Sequence, residues 1–491
     1  MIKSYKIDSC ERINPMSQIR SFGPRMGKKP TLIVGITLAL FIFGSAFSLL
    51  MVTSTALTPT FRPAINLSND NGVAKDATIS NNGLNVYVAW TEGSKGVLFR
   101  MSPDGGITWV PPTTSPALKL SPKGGVAQFP VMFTQFQNVS SGDVYVTWSQ
   151  TVTQANGSKI LQAFVAASQN NGVSFITTQL SHNATNSQNT PAIGAWGSNV
   201  YVSWFSAKNS VASGSIYVSS STNNGKTWSA ARDVLNPIRN GESEVVATTN
   251  GLAYLVADGI YFSDTNNSGA TWTPQLQLFS VPHISSTSIY YGREPWVAGS
   301  GKVVSAIWEA NSTTPGISYH DQGVTSTDGG KTWGPIQNIT DPLKDNWEPE
   351  NVAFNGSIFM TFHSLQTQGI YVTSSLNVAS ETPTWTPGQL VSPTKLKSSF
   401  GHIATSDGVN VFVMWGQQIS SGSSTWNAYV SYSGNKGVTW STPIDISNNA
   451  VGVAAGNQDV TLFGMTSNGA HCYAAWTYTN GGASQIYFAG S

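Results

Sequence analysis

Eight short runs of the chain alternate aromatic or β-branched residues with small or polar ones. A period of two is typical of β-strands, because successive side chains point to opposite faces of a sheet. The runs are about 55 residues apart, which suits a four-stranded propeller blade. They cover residues 86–90, 144–148, 200–204, 252–256, 304–308, 358–362, 411–415 and 472–476.

A second repeat, Ser-x-Asp/Asn-x-Gly-x-Thr-Trp, follows most of these runs. The Asp or Asn side chain can accept hydrogen bonds from backbone N–H groups two or three residues later in the chain, and the Gly supplies a positive φ. Both features predict a tight hairpin with the Thr-Trp pair opening the next strand. The sharpest copies are 102–109 and 326–333, looser ones are 168–175, 221–228, 265–272 and 433–440, and an interrupted seventh runs from Ser375 through Asn377 to Trp385.

This phrase resembles the Asp-box, or BNR repeat, which is the hairpin signature of sialidase-like β-propellers. The resemblance covers roughly residues 60–491 and implies an all-β propeller. It also implies that the Asp and Asn residues of the repeat are structural and lie away from the active face. We assign this role to Asp104, Asn170, Asn223, Asn266, Asp328 and Asn435.

The order of segments predicts how the ring of blades closes. Each unit has an inner strand, the aromatic strand, a third strand such as 216–219, the turn, and an outer strand such as 443–447. The eighth unit ends without a turn or outer strand, whereas residues 63–68 repeat the pattern of 443–447. We therefore expect the N-terminal strand to complete the last blade, since closure removes exposed edges. The count is eight blades, or seven if the weak fourth unit, 229–272, is misread.

The N-terminal region predicts a membrane anchor. Residues 31–52 carry no charge and are long enough to span a bilayer as a helix. Seven Lys and Arg but only two Asp and Glu precede them, which places the tail in the cytoplasm and the propeller outside. We divide the chain into a tail at 1–30, a signal-anchor helix at 31–53, a linker at 54–60 and an extracellular propeller at 61–491. A cleaved signal peptide ending near residues 54–56 is the alternative.

Composition bounds the partners of the propeller. Without residues 1–30 the chain has 18 basic and 22 acidic residues, which argues against nucleic-acid binding. Eight Asn-x-Ser/Thr sequons fit an exported glycoprotein. Cys10 and Cys472 fall on opposite sides of the predicted membrane, so no disulfide is expected, and Cys472 reads as a buried apolar residue. The His spacings predict no metal site, and no cofactor is expected.

Propeller ligands usually lie over the central channel, near the first residues of the inner strands. Charged and aromatic residues concentrate there in adjacent units, and aromatic faces stack on sugars while carboxylates and arginines bind hydroxyls. The alternative is a structural network that closes the channel. The candidate catalytic residues are Tyr290, Tyr291, Glu294 and Glu348, and the candidate ligand-binding residues are Arg239, Glu242, Glu244, Arg293, Trp296, Asp345, Trp347, Glu350, His402 and Asp459.

The sialidase resemblance implies three arginines that bind a substrate carboxylate, a Tyr–Glu nucleophile pair and an Asp acid/base. Only five arginines follow residue 60, and alignment of the eight units places Arg62, Arg100 and Arg232 on outer strands. Arg293, and with it Arg239, can reach the axis. We therefore expect a surface propeller that binds glycans or envelope proteins without catalysis. The alternatives are a glycoside hydrolase of exo-α-sialidase or related type, and an assembly scaffold for a membrane complex.

Overall fold

The structure is a computed structural model that describes residues 7–8, 59–69, 72–134, 142–182, 187–207, 214–238, 241–249, 251–279, 293–311, 318–354, 356–378, 380–393, 396–405, 407–423, 426–447, 463–480 and 483–491. The predicted anchor helix at 31–53 lies outside these residues. Within them, no helix is both long and apolar enough to cross a bilayer.

Eight antiparallel sheets follow one another along the chain, which confirms the eight-bladed propeller and makes the seven-bladed count wrong. We number the blades I to VIII. Their first strands contact one another in a closed ring, so these strands line the axis. Blade I contains Ala74–Asn82, Asn85–Glu92, Gly96–Ser102 and Leu118–Lys119; blade II contains Ala127–Thr134, Val144–Thr153, Lys159–Ser168 and Ile176–Gln179; blade III contains Ser187–Trp196, Asn199–Ala207, Gly214–Ser221 and Arg232–Ile238; blade IV contains Ser243–Thr249, Leu252–Ala257, Tyr261–Thr265 and Leu276–Gln277.

The second half of the ring repeats this order. A two-residue strand, Ile7–Asp8, also pairs in parallel with the first strand of blade VI, and a 3₁₀ turn covers Gly93–Lys95. Blade V contains Arg293–Ser300, Val303–Asn311, Tyr319–Ser326 and Gln337–Asn338; blade VI contains Asn346–Phe354, Ser357–Ser364, Gly369–Ser375 and Gln389–Leu390; blade VII contains Ser398–Ala404, Val411–Gln418, Trp426–Ser433 and Ile444–Asp445; blade VIII contains Phe463–Ser467, Cys472–Asn480, Ala483–Gly490 and Ile65–Asn66.

The eight aromatic runs are the second strands, as predicted, and they form the core between blades. A second strand in mid-sheet is covered on both faces by neighbouring blades, so its side chains are buried on both sides. Cys472 opens the last of these strands and is fully buried, as expected. Six tryptophans at one equivalent position are almost fully buried: Trp90, Trp148, Trp204, Trp308, Trp415 and Trp476.

The Asp-box turns share one hydrogen-bond pattern. In blade I the Ser102 hydroxyl donates to Asp104 Oδ1 at 2.8 Å and accepts the Gly106 N–H. Asp104 then accepts the N–H and the hydroxyl of Thr108 at 2.8 and 2.7 Å. Asp328 accepts the same two groups from Thr332. Asn170, Asn223 and Asn435 accept the equivalent N–H, but their side-chain amide donates to the hydroxyl instead.

One of the turn assignments differs from the prediction. In blade IV the structural residue is Asn267 and not Asn266, because Asn267 Oδ1 accepts both the Thr265 hydroxyl and the Thr271 N–H. Asn266 precedes it and is exposed. The interrupted seventh copy, in blade VI, keeps one bond common to the others: Val378 N–H donates to Gly356 O, as Gly105 N–H donates to Leu84 O.

Each complete turn also joins its blade to the preceding one. Gly106 has φ +89°, and an added Cβ there would collide with the Phe488 ring of blade VIII, so only Gly fits. The Trp109 ring then packs edge-on against Phe488, with ring centroids 4.9 Å apart. Trp333 makes the same contact with Phe262 between blades V and IV. The repeat is therefore a clasp between blades as well as a hairpin.

The ring closes as the sequence predicted. Ile65 and Asn66 pair with Phe488 and Tyr487, so the N-terminal strand is the fourth strand of blade VIII. The Leu67 N–H donates to Ile486 O, and the Ser68 hydroxyl donates to Gln485 Oε1. This pairing covers the edge of the third strand of the last blade.

Arg100 fixes the chain that leaves this joint. The prediction that Arg100 lies on an outer strand is wrong: it lies on the third strand of blade I and is 1% exposed. Its guanidinium donates to Leu67 O at 2.8 Å and to Pro111 O, Pro112 O and Ser115 O, each at 2.6 Å. The planar fork of donors suits several carbonyls at once.

We expect Arg100→Lys to lower the free energy of unfolding by about 3 kcal/mol, because an ammonium cannot reach all four carbonyls and those left without a donor stay buried. Urea unfolding of the full chain in detergent micelles measures this loss. Arg232→Lys, at an exposed outer strand, is the matched control and should change stability by less than about 0.5 kcal/mol. Equal losses would contradict the role of Arg100.

The Asp328 turn should respond to acid. The Thr332 N–H and hydroxyl donate to Asp328 and lower the pKa of its carboxyl to about 2. A lowered pKa means that the stabilisation is complete above the ordinary Asp pKa and is lost as pH falls towards 2. Asp328→Asn, which copies the Asn turns, should therefore leave the thermal midpoint unchanged at pH 7 and flatten its fall between pH 4 and 2. Asn223→Asp should steepen the same fall, and unchanged profiles in both variants would contradict this account.

Candidate functional site

The first strands share a bulge where they begin, at the end of the propeller opposite the Asp-box turns. Their pairing with the second strands skips one residue between Lys75 and Thr78, and at the same register in blades II, III, V and VI. Blade VII has its bulge one residue earlier. Bulges redirect side chains and are frequent beside binding sites. We call this end of the axis the mouth.

Proline is the second bulge residue in four of the five blades with the common register. A proline has no N–H to donate to a sheet, so an X-Pro pair suits a bulge. These pairs mark the mouth in the sequence. They are Phe129-Pro130, Thr190-Pro191, Glu294-Pro295 and Glu348-Pro349, and the fifth bulge is Asp76-Ala77.

Carboxylates occupy one equivalent position in four blades. We align the blades on the first strand pair that follows the bulge, which is Thr78–Ala89 in blade I. Blade IV has no bulge, and its equivalent pair is Glu244–Val256. Two residues before that pair stand Asp76, Glu242, Glu294 and Glu348. Asp76 is buried and accepts the Thr91 hydroxyl, whereas Glu242 is half-buried and its N–H donates to Asp258 Oδ2. The neighbouring blades IV, V and VI therefore each place one glutamate at the mouth.

The other predicted site residues divide into three groups. Glu244, Trp296 and Glu350 occupy the aligned pair itself and are buried. Position 402 lies at the same register of blade VII. The structure describes the backbone, but not the side chains, of Arg293, Glu294, Glu348 and His402, while Arg239, Tyr290, Tyr291 and Asp459 lie outside the described residues.

Asp345 and Trp347 form a joint between blades V and VI. Asp345 Oδ1 accepts the N–H groups of Ser318 and Tyr319 at 3.0 and 2.9 Å, and the indole N–H of Trp347 at 3.2 Å. The Tyr319 and Trp347 rings meet edge-on at 5.3 Å. Asp345 is thus occupied in holding the start of one strand to the start of another. Trp347 remains half-buried and keeps exposed ring surface at the mouth.

A buried polar row runs outward from the mouth in blade V. Position 293 is directly opposite Glu309, and Glu309 is directly opposite Asp321 on the third strand. Both acids are fully buried. Burial, and then the charge of Glu309, raises the pKa of the Asp321 carboxyl well above its usual range. Sequence reasoning missed these acids, whose signal was a carboxylate following the apolar run 304–308.

Blade VI has a histidine where blade V has Glu309. His363 is directly opposite Trp347 and is buried. Burial lowers the pKa of its imidazole to about 4, so the ring is neutral at physiological pH. Among the described residues, no group of three or more His, Cys, Asp or Glu side chains is arranged to hold a metal ion.

Three of the five arginines that follow residue 60 lie far from the mouth. Arg62 donates to Gly105 O at the Asp-box turn of blade I, at the opposite end of the axis. Arg100 is enclosed by carbonyls beside the closing strand, and Arg232 begins the outer strand of blade III. Arg293 begins the first strand of blade V. At most two arginines, at positions 239 and 293, are left for the mouth.

No family model matches the chain, and no curated protein does. Solved structures that are similar to it include the BP39L lectin from Burkholderia pseudomallei, with 12% identity, 78% of this chain and 100% of that chain covered, and a TM-score of 0.48. Others are the Hadza microbial sialidase Hz136, with 12% identity, 82% and 75% coverage and a TM-score of 0.37, and YCF48 from Cyanidioschyzon merolae, with 14% identity, 73% and 98% coverage and a TM-score of 0.40. At these values the likeness assigns no ligand and no activity to this chain.

The buried acid Asp321 gives a pH prediction. A raised pKa means that the folded protein holds the proton more tightly than the unfolded chain, so this residue costs stability as pH rises above the ordinary Asp pKa. Asp321→Asn keeps the shape of the protonated acid and should raise the thermal midpoint at pH 7, with little effect near pH 3. Asp445→Asn, at a half-buried outer-strand position, is the control. A lower midpoint at pH 7, with no change near pH 3, would show that Asp321 is charged in the fold.

Proposed function

We propose that the chain is a membrane-anchored, extracellular propeller that binds neutral glycans at its mouth without cleaving them. The positions of the arginines carry this proposal. A site of sialidase type needs three arginines around one carboxylate, and three of the five candidates are held elsewhere. The membrane anchor rests on the sequence of residues 31–53.

The charge of the mouth supports a neutral ligand. Carboxylates stand at equivalent positions in blades I, IV, V and VI, so an anionic sugar would meet like charges. Carboxylates accept strong hydrogen bonds from sugar hydroxyls. The half-buried ring of Trp347 adds an apolar face beside position 348. Together these residue types suit the hydroxyls and the C–H face of a neutral sugar.

One observation favours a second candidate, a glycoside hydrolase. Glu294 and Glu348 occupy the same bulge position in neighbouring blades. Glycosidases use two carboxyl groups at a defined separation, one as acid and the other as nucleophile or base. Glu294 and Glu348 stand at one register of adjacent blades and supply two such carboxyl groups. The buried acids Glu309 and Asp321 are too enclosed to contact a substrate.

One set of variants distinguishes glycan binding from glycoside hydrolysis. The full chain in detergent micelles is applied to arrayed neutral and sialylated glycans and to a panel of chromogenic glycosides that includes a sialoside. We expect binding to neutral glycans without turnover, and a loss of affinity of about tenfold or more in Glu294→Gln and in Glu348→Gln, which corresponds to one lost charged hydrogen bond.

Asp328→Asn is the control, because it changes a carboxylate at the Asp-box end of the axis and should leave binding unchanged. Turnover that either glutamate variant abolishes would replace the binding proposal with the hydrolase. A preference for sialylated glycans, or no binding to any glycan, would contradict a neutral-glycan site.

A further inference from the structure

The Asp-box face carries exposed apolar residues in one sector. At the sixth position of the turn, Val438 in blade VII, Ile107 in blade I and Val173 in blade II are 60, 65 and 66% exposed. A single exposed apolar residue is ordinary on a protein surface, whereas a group of them marks a contact surface. Three more exposed apolar residues lie in the hairpins or turns of blades I, VI and VII. We call the six residues the apolar sector: Leu84, Ile107, Val173, Leu376, Val409 and Val438.

The apolar sector is centred on the place where the chain joins the propeller. Blade VIII lies between blades VII and I, and its fourth strand is the N-terminal segment. Just before that strand, the Arg62 N–H donates to Gly490 O and the Arg62 guanidinium donates to Gly105 O in the turn of blade I. Residues 59–62 therefore lie at the Asp-box face, in the middle of the sector.

The length of chain before residue 59 limits how far this face can be from the membrane. The predicted anchor ends at residue 53, which leaves residues 54–58 as the connection. Five residues span at most about 18 Å when fully extended. A nine-residue first strand such as Ala74–Asn82 is about 30 Å long. A connection of about 18 Å cannot reach along it to the mouth, so a membrane that holds the anchor is close to the Asp-box face.

We propose that the Asp-box face docks on the outer surface of the bilayer, with the apolar sector inserted between the headgroups. Burial of exposed Ile, Leu and Val side chains would stabilise the contact. Lys226, Lys302, Lys331 and Lys436 are exposed on the same face and suit anionic headgroups. The carboxylates of Asp104 and Asp328 are already hydrogen-bonded within their turns. Docking in this way directs the mouth away from the membrane.

Depth measurements on the full chain test this proposal. With Cys10→Ser and Cys472→Ala as background, a fluorophore or spin label is attached to Ile107→Cys, Val173→Cys or Val438→Cys. The protein is reconstituted into vesicles of about four parts phosphatidylcholine to one part phosphatidylglycerol. We expect the labels to lie about 5–10 Å below the headgroup surface and to be quenched by brominated lipid.

Exposed apolar residues at the mouth supply matched controls. Val126, Leu343 and Ile419 are 57, 68 and 49% exposed, and they lie where first strands begin or second strands end. Labels there should stay accessible to aqueous quenchers. Equal aqueous exposure of all six labels would overturn the proposal. So would protection of the three Asp-box labels in detergent together with a dimeric mass, because a second copy would then cover the face.

The N-terminal tail supplies an independent check. The structure pairs Ile7–Asp8 with blade VI, and the docking proposal requires this pairing to be released when the tail lies on the far side of the membrane. We expect the tail to be protected from protease added outside sealed vesicles, and the protein to resist extraction by carbonate. Release by carbonate, or cleavage of the tail from the side that carries the propeller, would remove the anchor and overturn the docking proposal.

Discussion

The ring of blades closes where blade VIII meets blade I, and the other seven interfaces between blades depend on this closure. A ring of sheets has no exposed edge only if its last blade is completed, and here the fourth strand of that blade comes from the opposite end of the chain. The closing strand is only two residues long. Groups beside this strand also stabilise the joint. Arg100 donates to four carbonyls, the Ser68 hydroxyl donates to Gln485, and the Trp109 ring contacts Phe488 edge-on.

The mouth depends on the same repetition. Because first strands bulge at one register in five blades, one sequence position per blade lies at the mouth. Charge at the mouth can therefore change blade by blade without disturbing the Trp core below it. The cost of this arrangement is visible in blade V, where a carboxyl pair is fully buried next to the site and one of its acids has a strongly raised pKa.

Local chemistry explains how much of the fold was predictable from sequence. Period-two runs and Asx turns act over a few residues, so strand order, blade count and closure could all be inferred from the chain. Asn266 was assigned in place of its neighbour Asn267, although the third position of the copy at 265–272 is residue 267, and the hydrogen bonds confirm that register. The site was less predictable, since the sequence places Glu244, Trp296 and Glu350 near the axis but does not show that all three are buried. Arg100 was assigned to an outer strand by alignment of the units, and no sequence pattern records that its partners are four backbone carbonyls.

The order of the chain has a mechanical consequence. Since the first strand to leave the predicted anchor is also the strand that closes the ring, any tension between the membrane and a ligand held at the mouth passes through the pairing of Ile65–Asn66 with blade VIII. The Arg62 contacts with Gly490 and Gly105 lie between the predicted anchor and this pairing, so they bear the force first. A pairing of two residues resists the remaining force only weakly. The closing joint would then be the first part of the propeller to give way under pulling, and a ring opened there would unravel from its tethered end.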